Sequence, residues 1–163
     1  MASIEDYVKE RSALSPIQIH RLRELTADWQ LLSDLSFADL ILWVPLRKNF
    51  KSWPTGYIAV AHIRPTTSAT LFAHDVIGKE IAYGSRPHID HALAGAEIVR
   101  DTQPEQVGEH LVKEETIPVI LDETVIAVIS RHRDSELMRQ PSRLELNYRE
   151  IAHNLYRMIL EGT

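Results

Sequence analysis

Two apolar runs separated by only two residues constrain this chain most. Leu111 to Leu121 and Thr124 to His132 flank Asp122-Glu123. A tight turn must join them, so the two strands run antiparallel. Ile117, Val119 and Leu121 alternate along the first run, and Val125, Ala127 and Ile129 along the second, giving each strand a core face. Ile120, Ile126 and Val128 make the other face apolar too. A sheet that is apolar on both faces has to be covered on both.

The chain ends can supply one cover. Ser3 to Ala13 reads as a short helix, and Ser15-Pro16 as an N-cap followed by proline at the first helical position. That second helix is expected to run to about Ser33, with the stripe Ile19, Leu22, Leu25 (or Thr26), Trp29 and Leu32. At the other end, residues 142–161 read as a helix capped by Ser142, with Glu145 in the capping-box position. Its apolar seam is Leu144, Tyr148, Ile151, Leu155 and Met158, at alternating steps of four and three, widened by Ala152 and Ile159. This is the spacing that keeps one seam toward a partner helix. The stop after Glu161-Gly-Thr163 reads as a boundary within a longer chain.

Between the ends the pattern is that of strands. Leu40 to Leu46 and Gly56 to Arg64 form a hairpin around the turn KNFKSWPTG; Ala69 to Ala73 and Ala96 to Arg100 suggest two more strands, and Pro87 to Leu93 a short helix. Thr102 to Gly108 is the most loop-like interior stretch. The order predicts one α+β domain over 1–163: an antiparallel sheet with the terminal helices on one face and the middle segment on the other.

With 163 residues the chain can bury a real core as a single domain. A net charge of −5, with no run of Lys or Arg interleaved with aromatics, argues against a direct nucleic-acid partner. The absence of cysteine removes disulfides, thiolate zinc sites and thiol catalysis. No window approaches the roughly 18 apolar residues of a spanning helix, and the amino terminus has early acids and no apolar run. No membrane partner is expected, and the cytoplasm is the expected location.

Few side chains suggest chemistry. His88 and His91 lie one helical turn apart and could share a ligand, with His62 or His74 completing a set; a polar helix surface explains the pair more simply. Arg64 and Thr70, with the neighbouring hydroxyls, leave a strand for a loop and suit either an anionic ligand or plain loop hydrogen bonding. His62, Arg64, Thr70, His74, His88 and His91 are thus the candidate ligand residues. No catalytic residue, metal or cofactor is expected. No G-x-S-x-G, G-x-x-x-x-G-K-[ST] or G-x-G-x-x-G occurs, and His153 reads as a surface helical histidine rather than a phosphoacceptor.

The run Asp28-Trp-Gln-Leu-Leu-Ser-Asp-Leu-Ser-Phe-Ala-Asp-Leu-Ile-Leu-Trp-Val44 is similar to the amino-terminal sensor region of soluble two-component histidine kinases of the PdtaS type. Those kinases pair with antiterminator response regulators. Three other segments resemble the same family: Arg64-Pro65 with Thr67 and Thr70; Glu115 to Val119 with Val125 to Val128; and Arg139 to Glu145 with Tyr148, Ala152, Leu155, Met158-Ile159 and Glu161-Gly162. The resemblance implies a GAF-like fold and a cytosolic homodimer. It also implies that PAS and kinase domains follow in the same chain. The expected function is therefore a sensory input domain, not itself an enzyme, that binds an unknown small ligand and signals through paired terminal helices. A ligand-free dimerisation module is the alternative, and a small stand-alone enzyme the remotest reading.

Overall fold

The computed structural model describes residues 3–8, 11–66, 71–72, 75–100, 105–107, 110–134 and 143–162, with 107, 110 and 143–146 as backbone only. Five helices are found among them: α1 (Ile4–Val8), α2 (Pro16–Ala27), α3 (Trp29–Ser36), α4 (Pro87–Gly95) and α5 (Arg143–Glu161). The strands are β1 (Asp39–Leu46), β2 (Gly56–Ile63), β3 (Glu80–Ala82), β4 (Val99–Arg100), β5 (Glu105–Val107), β6 (His110–Leu121) and β7 (Thr124–Asp134). They form one sheet in the order β3-β2-β1-β7-β6-β4, with β5 also on β6, and every pairing is antiparallel.

The long hairpin forms as its sequence requires. Asp122 and Glu123 both adopt positive φ, 51° and 63°, which matches the right-handed twist of the strands they join. The face assignment of β7 differs from simple alternation. Val119 pairs with Ala127 but Ile120 with Val125, so Ile126 is an extra residue. This bulge puts Ile126, Ala127 and Ile129 on one face and Val125 with Val128 on the other.

The first face carries the larger core. Leu40, Leu42, Val44, Ile117, Val119 and Ile129 meet Val8, Leu22, Trp29, Leu32 and Leu35 of α1–α3 and Ala152, Tyr156 and Ile159 of α5. The second face packs Ile41, Trp43, Tyr57, Ala59, Val125 and Val128 against Ile89, Ala92 and Leu93 of α4. The chain ends thus cover one face and the middle segment the other, as expected.

Four local expectations need correction. Ser15 caps α2 through a reciprocal capping box with Gln18, but the helix stops at Ala27 instead of Ser33. Asp28, at φ −103° and ψ 12°, leaves helical geometry, and the new axis of α3 lets Trp29, Leu32 and Leu35 all reach the core. The first helix is also shorter than expected, since residues 11–15 are non-helical. Thr102–Gly108 is not simply a loop: Glu105–Val107 pairs with β6. Of the expected strand Ala69–Ala73, Leu71 and Phe72 are non-strand and the rest lies outside the described residues, as does the Ser142 cap.

The row of α5 that packs on the sheet is offset from the apolar seam expected to face a partner helix. Its buried row is Ala152, Tyr156 and Ile159, with Tyr148 and Leu155 beside it, while Ile151 and Met158 remain 48% and 47% exposed. Leu144 is described as backbone only. Tyr156 fixes the rotation: its hydroxyl shares a 3.1 Å hydrogen bond with Ser36 Oγ, and the Arg131 guanidinium lies 4.8 Å from its ring centroid.

Candidate functional site

A buried polar cluster sits on the second face, at the end of the sheet where β1, β2 and β7 run side by side. It exists because of a second bulge. Leu42 pairs with Ala61 and Trp43 with Ala59, so Val60 is extra in β2. Ile58 and Val60 face the first core, and beyond the bulge so do Ala61 and Ile63. His62 is thereby turned to the same side as Tyr57, Ala59 and Trp43.

His62 has a fully buried side chain. Its Nε2 lies 3.1 Å from Asp39 Oδ2 and its Nδ1 3.2 Å from Asp75 Oδ1. Asp39 is also fully buried and accepts the Leu71 amide at 3.1 Å through its other oxygen. The carboxylate therefore pins the loop after β2 onto the sheet. Phe72 stands edge-on to both His62 and His132, with centroids 5.4 and 5.0 Å away. Trp43 Nε1 donates to Ser130 Oγ at 2.9 Å, and the same oxygen lies 2.8 Å from His132 Nε2. Burial, and then the nearby positive Arg86, hold the His132 imidazole down from its ordinary 6.5 to about 3.

Next to His132 lies a cavity of about 90 Å³, lined by Phe72, Arg86, Glu105, Val112, Glu114 and His132. Arg86 and Glu114 form an ion pair there, and Glu114 Oε1 is buried with no partner among the described residues. Burial raises the Glu114 pKa, although the adjacent Arg86 opposes it. Ligand sites for organic molecules are usually about 300–1,000 Å³. The space left beside Phe72 and His132 is smaller than that, and suits water or an ion.

Among the six candidate ligand residues, His62 belongs to this cluster. Arg64 sits at its edge, 3.9 Å from Asp75, while its carbonyl accepts from Gln30 of α3 at 3.0 Å. Thr70 and His74 lie outside the described residues. His91 does not join the cluster, and His88 lies beside its cavity, near enough for its charge to act on Glu114. The His88 carbonyl accepts from Thr116 Oγ1 at 3.2 Å, and exposed His91 pairs with Glu97 at 3.2 Å. Among the described residues no group of three His, Asp or Glu is arranged to hold a metal. Asp39, Trp43, Ser130 and His132 were not picked out from the sequence. The spacing of Ser130 and His132, two apart on β7, is the signal that puts them on one face.

Comparison with known proteins agrees with this architecture. The family described as the GAF domain of the histidine kinase PdtaS matches residues 4–152. The sensor histidine kinase PdtaS of Mycobacterium tuberculosis is 32% identical over 100% of this chain, and that of Mycolicibacterium smegmatis 30% identical over 100%. This chain spans 32% of each of those proteins, about a third of their length. A solved sensor region of a sensor histidine kinase superposes over 100% of this chain and 54% of its own, with a TM-score of 0.81 and 30% identity. The GAF-B domain of DevS from Mycobacterium smegmatis aligns over 87% of this chain and 91% of its own at TM-score 0.52 and 14% identity, a likeness of fold alone. Sequence and fold together identify this chain as a GAF-type sensor domain belonging to the family of the histidine kinase PdtaS.

Proposed function

We propose that this chain, as a single domain over 1–163, is the sensory input unit of a cytoplasmic two-component histidine kinase. It works as a homodimer, and PAS and ATP-dependent kinase domains follow it in the same polypeptide. The domain performs no catalysis. A small signal changes how the sheet holds α5, and paired α5 helices carry that change toward the kinase. Such coupling requires the signal to bind one arrangement of α5 better than another.

The observation that carries this reading is the two-sided character of α5. One side is locked to the sheet by Ala152, Tyr156 and Ile159. The other leaves Ile151 and Met158, seven residues apart, half exposed. Met158 and Leu155 also border a groove of about 360 Å³ together with Leu25 and Leu31 of α2 and α3, with the charged Arg21, Glu24 and Asp28 also on its wall. A heptad step of exposed apolar residues beside such a groove suits a second copy of the same helix. No described helix is long and apolar enough to cross a membrane.

The small, side-chain-filled space around Phe72 favours a second reading for that face, a dimerisation module with no ligand there. Sedimentation velocity tests the shared part of both. The 163-residue chain is expected to sediment as a dimer at micromolar concentration, and Ile151→Glu/Met158→Glu as a monomer with unchanged circular dichroism. A double variant that dimerises as tightly as the parent contradicts the α5 interface.

A further inference from the structure

The first face holds a second concavity, under α5, whose lining is unlike that of a structural core. It has a volume of about 260 Å³. Arg100 of β4, Arg131 and Arg133 of β7 and Arg149 of α5 all border it, and Glu115 is the one acid on its wall among the described residues. Glu115 is already engaged twice, by Arg131 Nη2 at 2.7 Å and Arg100 Nε at 3.5 Å. No carboxylate among the described residues pairs with Arg133 or Arg149. The Arg131 side chain is only 9% exposed, yet its Nε has no hydrogen-bond partner among the described residues. Burial, followed by the like charge of Arg131, brings Arg133 down to about 10.

Among the described residues four guanidiniums face one carboxylate, an excess of positive charge in a partly buried place, in a chain whose net charge is −5. Buried charge without a partner is unfavourable, and guanidinium forks match phosphate and carboxylate oxygens. We infer that this cavity binds a compact, multiply charged oxyanion, a phosphate- or carboxylate-bearing metabolite, which bridges Arg131 and Arg133 of the sheet to Arg149 of α5. The volume favours a small ligand over a nucleotide-sized one. Because Arg149, His153 and Tyr156 on the wall belong to α5, the anion ties that helix to the sheet. The coupling half of this inference rests on the sensory reading above; the binding half stands alone.

Calorimetric titration of the 163-residue chain with citrate and, separately, inorganic phosphate at constant ionic strength tests it. Saturable binding of at least one of them is expected, with Arg133→Gln and Arg149→Gln each weakening it roughly tenfold or more, about 1.4 kcal/mol. Arg157→Gln, on an exposed arginine of α5 that pairs with Glu161, should bind like the parent. The two arms tell a carboxylate-bearing from a phosphate-bearing ligand. Arg149→Gln alters a helix-surface residue and keeps the test valid if Arg133→Gln fails to fold. Absence of saturable binding of both anions, or equal binding by Arg149→Gln, overturns the site. A monomeric chain that still binds retires the paired-helix reading and keeps the site; a dimer that binds neither anion does the reverse.

Discussion

The histidines show how far residue identity alone carries. His62 and His132 are both buried against Phe72, but their partners differ: two aspartates for His62, a serine and a neighbouring arginine for His132. The consequence of the second environment is a pH dependence with a definite sign. As pH falls below 6.5 an unfolded His132 takes a proton, whereas the folded one stays neutral until about 3. Its contribution to stability is complete above 6.5 and is lost as pH falls through that window, by about 1.4 kcal/mol per pH unit in mid-window. Urea midpoints between pH 7 and pH 4 should therefore drop less steeply for His132→Leu than for the parent. The variant carries a constant deficit from the lost Ser130 contact, but equal slopes would contradict the neutral, buried assignment. In the sequence His62 was legible as a ligand-type residue. Its orientation was not, because that depends on a bulge at Val60 that no period-two pattern marks.

At the scale of elements, strong local chemistry was legible and context was not. Ser15-Pro16, the hairpin around Asp122-Glu123 and the helix beginning at Pro87 all formed where their sequences require. Each rests on contacts within a few residues. The break at Asp28 was missed because the stripe Ile19 to Leu32 continues across it, and only the packing of Trp29 distinguishes one helix from two. Strand β5 was missed because Glu105 and Gln106 are exposed on a short edge and carry no apolar signal. The face of α5 was read from a seam, and Tyr156, the residue that fixes its rotation, lay outside it. Gly56 shows an element boundary set by space. A Cβ there would meet Ile81 O at 2.2 Å, across the β2–β3 pairing. Gly56→Ala should cost about 1–3 kcal/mol, as overpacking does, measured as a lower denaturant midpoint with unchanged slope. A midpoint equal to the parent's would mean that the edge strand β3 yields freely.

For the whole molecule, the layer order was legible because both faces of the long hairpin are apolar, which demands two covers. Which cover carries a signal was less so. The candidate ligand residues were drawn mostly from the middle segment, yet the cavity beside Phe72 and His132 is small, and the charge-rich concavity lies under α5. Arg100, the Arg131/Arg133 pair and Arg149 are far apart in sequence and meet only when β4, β7 and α5 assemble. The central claim is that α5 of one copy lies along α5 of another. Because the chain has no cysteine, Asn154→Cys, on the exposed side of α5, gives a single spin-label position. Electron–electron dipolar spectroscopy on the labelled chain should show one narrow inter-label distance below about 40 Å. That distance should vanish when Ile151→Glu/Met158→Glu is added. No inter-label distance at concentrations up to 100-fold above micromolar, or one unaffected by the two glutamates, would contradict the account.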